Sequence, residues 1–191
     1  QCGYMVIGIG VGTTTALIAV SIQAVAHILY KGLLMMTAGS VLSDNPESDI
    51  HALGNRAEIV PYTALFALIG GFALSALPLT LTFASKNMLT EALGYSPITS
   101  QEISTMLALA SGAAPLYIGL RWPWLIFFKD SSISAWLSAL KKRTCLIQEL
   151  PNIIGYLLFT IPLVALTPYL LQQMHLIPPT DFSYELAMVI H

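Results

Sequence analysis

Charge is what this 191-residue chain has least of: Asp, Glu, Lys and Arg together supply 9% of it, against about 25% in an ordinary soluble domain. That scarcity excludes a water-facing surface over most of its length. Eight basic and ten acidic residues leave a formal net charge of −2, so there is no basic field to attract nucleic acid. Cysteine is nearly absent too. Cys2 and Cys145 are isolated thiols, which excludes a disulfide framework and any closely spaced zinc or redox motif, so no metal site is expected. No nicotinamide, flavin, haem or iron–sulfur signature is present, and no cofactor is expected. Linkers and low-complexity tracts are also missing, which predicts a single domain over residues 1–191. The chain lacks an initiating Met and a positively charged leader. It starts at Gln1 inside an apolar run and stops at His191 as another begins, the pattern expected of a domain truncated at both ends.

What is there is apolar sequence. Hydrophobic residues make up 55%, the mean hydropathy is +0.73, and residues 59–85, 103–120 and 150–180 contain no Asp, Glu, Lys or Arg. About 18 consecutive apolar residues suffice to cross a bilayer. The fold class read from this is all-α: a polytopic transmembrane helix bundle, integral to a membrane and in contact with lipid.

Five apolar segments follow one another. Residues 1–12 read as the last turns of a helix, and their "GIGVG" string fits close helix packing better than nucleotide binding, for which the preceding strand is missing. Residues 13–43 form the second segment, about 46 Å long if helical throughout, against a hydrocarbon core of about 30 Å. It must tilt, protrude or be interrupted. Residues 60–93 form the third, with Pro61 placed for a first turn and Pro78 in the middle. An internal proline removes a backbone hydrogen bond and clashes with the preceding turn, so a discontinuous helix is expected there. Residues 102–128 form the fourth, with Gly112, Pro115, Gly119 and Pro123 as expected irregularities and Trp122 and Trp124 as an interfacial belt. In the loop that follows, Trp136, Leu137 and Leu140 predict one face of a short amphipathic helix. The fifth segment is expected over residues 151–174. Lys129, Lys141, Lys142 and Arg143 place the loop before it in the cytoplasm, and the loop over residues 44–58 on the same side.

Against this background an ionisable residue inside the membrane is a functional hypothesis by default. Lys31 is the lone charge within residues 1–43, and His27 lies one turn before it, about 6 Å away at the Cβ atoms. Gln23 extends the row by another turn, and Ser21 and Tyr30 add hydrogen-bonding groups. Lys86 follows the uncharged run 59–85, two turns beyond Pro78, with Ser85 and Thr82 beside it. A broken helix exposes carbonyls and helix ends that solvate ions and water. Together these positions predict a polar path on which protons pass between side chains. Each also has a structural alternative. Lys31 would have to snorkel about 18 Å to the end of its segment; His27 alone is equally a packing histidine, and Lys86 equally an interfacial anchor. His51, His175 and His191 read as surface or loop residues, and Glu91 as facing headgroups.

The succession "QCGYM", "AVAHILYKGLLMMTAGSV", "DIHALGN", "VPYTALFALIGGFALSALPL" and "FASKNML" resembles the proton-conducting antiporter-like membrane subunits shared by Mrp-type cation/proton antiporters and respiratory complex I. The resemblance spans residues 1–93. It implies that His27 and Lys31 match the histidine and lysine of a central helix in the second half-channel, that Lys86 matches the lysine of the "SK" motif on a broken helix, and that Pro78 marks the break. The later stretches "IGLRWPWLIFFKDSS" and "PPTDFSYELAMVIH" resemble the D subunits of Mrp antiporters. Three departures stand out: no glycine precedes Phe83, Asn87 occupies a position often acidic in the complex I branch, and Gln23 stands where some members have another histidine. The resemblance implies half of an inverted-repeat fold within a multisubunit complex of a bacterial plasma membrane. That complex would move protons coupled to sodium efflux in the Mrp case or to quinone reduction in the complex I case, with redox chemistry left to partner subunits. A passive helix scaffold is the third reading.

Overall fold

The computed structural model describes residues 1–44, 56–77, 80–94 and 101–173. Among the described residues the backbone forms helices and turns only: α1 Cys2–Val11, α2 Thr14–Asp44, α3 Pro61–Leu74, α4 Leu81–Gly94, α5 Gln101–Pro123, α6 Ile133–Leu140 and α7 Arg143–Gln173, with α5 continued by a π-helical segment, Trp124–Phe128. The all-α expectation holds. Stretches Thr14–Ser43 of α2 and Thr144–Leu166 of α7 are long and apolar enough to cross a membrane.

The element ends follow from local chemistry. Gly12 adopts a left-handed conformation, φ 69°, and closes α1, a conformation glycine reaches without steric penalty. Thr13 then opens α2, its Oγ1 accepting the Ala16 N–H at 3.3 Å. Pro61 occupies the first turn of α3, where its missing N–H costs nothing. The 31-residue α2 runs without interruption, so of the three ways to fit a helix of that length in a bilayer, tilt and protrusion remain.

The third apolar segment is broken as expected. α3 stops at Leu74 and α4 starts at Leu81; between them Ala76 takes φ 54°, an uncommon value for a residue with a Cβ. Thr80 caps the new helix, its Oγ1 accepting the Phe83 N–H at 3.3 Å. Pro78 itself lies outside the described residues. Each half has 14 residues, about 21 Å of helix, so neither alone reaches across the hydrocarbon core.

One boundary differs from expectation. The last segment starts at Arg143 rather than near residue 151, because Pro151 sits in the third turn of α7 and removes one donor without ending the helix. The short amphipathic helix is present as α6, capped by Ser132, whose side chain accepts the Ala135 N–H. Its Trp136 turns inward to donate from Nε1 to the Pro61 carbonyl at 3.0 Å, while Leu137 stays exposed.

α2 is the central element and packs against α1, α3, α4 and α7. One core cluster joins Ala16, Ala19 and Ala26 of α2 to Leu81, Leu89 and Leu93 of α4. Another joins Val41, Ala57 and Val60 to Ile126, Phe127 and Phe128, so the end of α2, the start of α3 and the segment before α6 share one end of the bundle. Ile28, Met35, Leu158, Ile161 and Val164 point outward, apolar surface suited to lipid or neighbouring membrane helices.

Candidate functional site: polar groups gathered at a helix break

The interruption between α3 and α4 leaves carbonyls at the end of α3 without the next turn to satisfy them. Gln1 donates from Nε2 to the Leu74 carbonyl at 3.4 Å, and Gln23 of α2 donates from its own Nε2 to Gln1 Oε1 at 3.0 Å. A row of amides therefore runs from the core of α2 to the break. Gln23 is 1% exposed, and its Oε1 has no hydrogen-bond partner among the described residues.

α4 brings the second set. Thr82, Ser85 and Lys86 are spaced three and four residues apart and share a face. Thr82 and Ser85 are fully enclosed and Lys86 is 8% exposed. Ser85 Oγ donates to the Ala19 carbonyl at 2.8 Å, which ties this face to α2 one turn before Gln23. Thr82 Oγ1, like Gln23 Oε1, has no partner among the described residues. A buried polar atom left unmatched costs about 1–3 kcal/mol, and water is the usual remedy where room exists. The Lys86 backbone is fixed from α1, since Tyr4 Oη donates to its carbonyl at 3.0 Å and lies 3.1 Å from Thr90 Oγ1.

His27 and Lys31 occupy another part of α2. His27 Nδ1 lies 2.6 Å from Tyr30 Oη. Tyr30 is fully buried and packs with Ala73 and Leu163, beside the end of α3. Lys31 is exposed rather than enclosed. It opens into a pocket of about 260 Å³ whose walls include Leu34, Leu74, Ile118, Gly119 and Trp122. A lysine at mid-helix facing outward in a membrane protein requires water or a counter-charge from a neighbour. Among the described residues no direct hydrogen bond joins His27 to Lys31. Glu91 is exposed, as expected of a headgroup-facing acid.

Thus Ser85 ties the α4 face that carries Thr82 and Lys86 to α2 at Ala19, one turn before Gln23, while Tyr30 packs on Ala73 and Lys31 shares a pocket with Leu74 at the end of α3. Gln1 and Tyr4 were not legible as site residues, because only the return of α1 beside α4 brings them there. Groups of three or more His, Cys, Asp or Glu able to hold a metal ion are not found among the described residues.

A helix bundle with two spans long and apolar enough to cross a membrane, a broken helix and an enclosed lysine fits the class of helical membrane proteins. Residues 1–111 match the family model described as NADH:quinone oxidoreductase/Mrp antiporter, TM; the chain belongs to that family. Among its relatives, NADH-quinone oxidoreductase subunit L of Neisseria meningitidis is 28% identical over 128 residues, 66% of this chain and 18% of that protein. NADH-ubiquinone oxidoreductase chain 5 of Rhinoceros unicornis is 28% identical over 142 residues, covering 69% and 23% of the two chains. F(420)H(2) dehydrogenase subunit L of Methanosarcina mazei is 35% identical over 101 residues, covering 48% and 15%. The chain spans less than a quarter of the length of these relatives. No solved structure matches it.

Proposed function

We propose that this chain contributes part of a proton path to a proton-translocating membrane subunit, with Lys86, Lys31 and His27 holding and passing the proton. The observation that carries the reading is the enclosed Lys86 in the half-helix that follows a helix break, with two buried oxygens, on Gln23 of α2 and Thr82 of α4, that are unmatched among the described residues. An amine is a proton carrier when it can exchange with water or a neighbouring acceptor. Thr82, Ser85 and Gln23 line the path, and Pro78 is assigned to the break. Residues 1–191 are read as one piece of a single antiporter-like domain, half of an inverted repeat.

For the whole protein we favour a subunit of a multisubunit monovalent cation (Na+)/proton antiporter of the Mrp type, in a bacterial plasma membrane, assembled with other membrane subunits. The stretch at residues 118–132 supports that branch. A second reading, a proton-pumping subunit of a quinone-reducing complex, is supported by the relatives, which are subunits of an NADH-quinone oxidoreductase and an F(420)H(2) dehydrogenase. Membrane vesicles holding the full-length protein with its partner subunits separate them. Sodium-dependent proton movement is expected in the first case. Co-purification with quinone-reducing subunits, without sodium dependence, would decide for the second.

A variant separates transport from scaffold. Gln23→Leu removes a buried carbonyl that lacks a partner among the described residues, together with the Nε2 donor to Gln1, so the gain and the loss offset and thermal stability is expected to stay close to wild type, while proton translocation falls. Melting of the purified protein and vesicle acidification check this together. Unchanged translocation would favour a passive scaffold.

A further inference from the structure

A second buried polar network lies away from the helix break, at the end of the bundle where α2 finishes and α3 and α7 begin. Its acid is Glu149 of α7, 3% exposed. Oε1 accepts the Tyr62 N–H at 3.1 Å, and Oε2 accepts both the Thr63 N–H and the Thr63 hydroxyl, each at 2.7 Å. The two amides belong to the first turn of α3, where N–H groups have no partner in their own helix. A helix cap would need no more than this.

The network nevertheless continues. Thr63 Oγ1 lies 3.1 Å from Tyr156 Oη, and Tyr156 Oη donates to Ser40 Oγ at 2.6 Å. Thr63 and Tyr156 are fully enclosed, whereas Ser40 is half-buried and its hydroxyl reaches the Met36 carbonyl at 3.1 Å. Three hydroxyls thus form an unbroken row from a half-exposed position on α2 to an enclosed carboxyl group on α7. Each hydroxyl has one proton and can both donate and accept. The row consequently has two fully bonded arrangements. With Glu149 ionised, Ser40 donates to Tyr156, Tyr156 to Thr63 and Thr63 to Glu149. With Glu149 protonated every O–H points the other way, ending on the Met36 carbonyl.

We propose that Glu149 is a proton-binding site, loaded and emptied through the row Ser40–Tyr156–Thr63. The two arrangements differ by one proton and by the direction of every O–H bond. A proton from water joins Ser40 Oγ, the Ser40 proton passes to Tyr156 Oη, the Tyr156 proton to Thr63 Oγ1 and the Thr63 proton to Glu149 Oε2. One O–H bond forms and one breaks at each hydroxyl, and the carboxylate gains the proton that water lost. Rotation of the three hydroxyls resets the row. Among the described residues α3 brings Tyr62 and Thr63 to the carboxyl group, and Tyr156 of α7 and Ser40 of α2 follow along the row; Lys141 and Lys142 in the turn before α7 are exposed to solvent. Both charge states of Glu149 have a place in this structure: the carboxylate on the two amides, the acid as first donor of the row. As a step in transport, the site rests on the proton-path reading above and would serve it as a proton entry or exit group.

Substitutions in the full-length protein within its membrane complex separate a proton site from a cap. Glu149→Gln keeps the shape of the side chain and a carbonyl for the α3 amides but cannot release a proton. Tyr156→Phe keeps the ring on Phe66 and cuts the row. Both variants are expected at wild-type amounts in the membrane, with proton translocation lowered about tenfold or more. Infrared difference spectra between alkaline and acidic buffer should contain a carboxylic acid carbonyl band that Glu149→Gln lacks. Wild-type translocation in Glu149→Gln and Tyr156→Phe would overturn the proposal. So would spectra in which the Glu149→Gln difference is identical to wild type, a readout that stands if the variants assemble poorly. A Glu149 band in a protein that translocates no protons at all would support the site and refute the transport reading.

Discussion

Membranes expressing Gly71→Val are expected to contain little folded protein. A Cβ on Gly71 would meet the backbone carbonyl of Gly119, and a Cβ on Gly119 would meet the Gly71 carbonyl and Ser75 Oγ. At this crossing α3 and α5 touch through backbone atoms, and Ser75 Oγ adds hydrogen bonds to the Gly71 carbonyl at 2.7 Å and the Pro115 carbonyl at 3.3 Å. Backbone cannot rotate away as a side chain does. Overpacking a tight site costs about 1–3 kcal/mol where side chains yield, and here the helices themselves must separate. Small residues that let helix backbones approach are a principal source of association in lipid. Gly39→Ala is the control, since nothing lies within 4 Å of the added carbon there. Thermal aggregation in detergent is expected to shift strongly down for Gly71→Val and to stay in place for Gly39→Ala; equal curves would mean that the α3–α5 contact contributes nothing.

This contact illustrates what sequence alone withholds. Gly119 was legible as an irregularity of its helix, yet its partner was not, because pairing Gly71 with Gly119 depends on how two helices cross. Features encoded locally were plain. The proline at the first turn of α3, the interruption ahead of Lys86 and the amphipathic face carrying Trp136 each follow from a few neighbouring residues and appear where expected. The start of α7 was misplaced by reading Pro151 as a boundary, and with it Glu149 was set outside the membrane segment. A single acid between "TCLIQ" and "LPNII" was the available signal.

The site divides in the same way. Gln23, Thr82, Ser85 and Lys86 were recognisable as polar residues out of place in apolar helices, and the fold encloses all four. His27 was expected to work with Lys31, its neighbour one turn away. Its described hydrogen-bond partner is instead Tyr30, whose hydroxyl is held by packing against α3 and α7. Lys31 was expected in a polar interior, and the chain leaves it open to a pocket. Helical periodicity places residues on a face, but what covers that face depends on elements distant in sequence or supplied by partners.

Removing the amine at Lys86 is expected to have the largest functional effect. Methionine matches the length of the lysine stem and adapts to irregular surroundings, so Lys86→Met is the least disruptive replacement that lacks an amine. It cannot carry a proton. Ser85 and Thr82 remain in Lys86→Met, and their hydroxyls alone supply no titratable group to hold the proton beside the break. Lys86→Arg keeps a charge but does not release it at physiological pH, so it should fail as well, which separates the need for proton exchange from the need for a positive charge. The decisive measurement is proton uptake into inverted membrane vesicles that contain equal amounts of the full-length wild-type, Lys86→Met or Lys86→Arg protein with its partner subunits. Uptake at the level of vesicles lacking the protein is expected for both variants; uptake at the wild-type rate in Lys86→Met would mean that the Lys86 amine carries no proton.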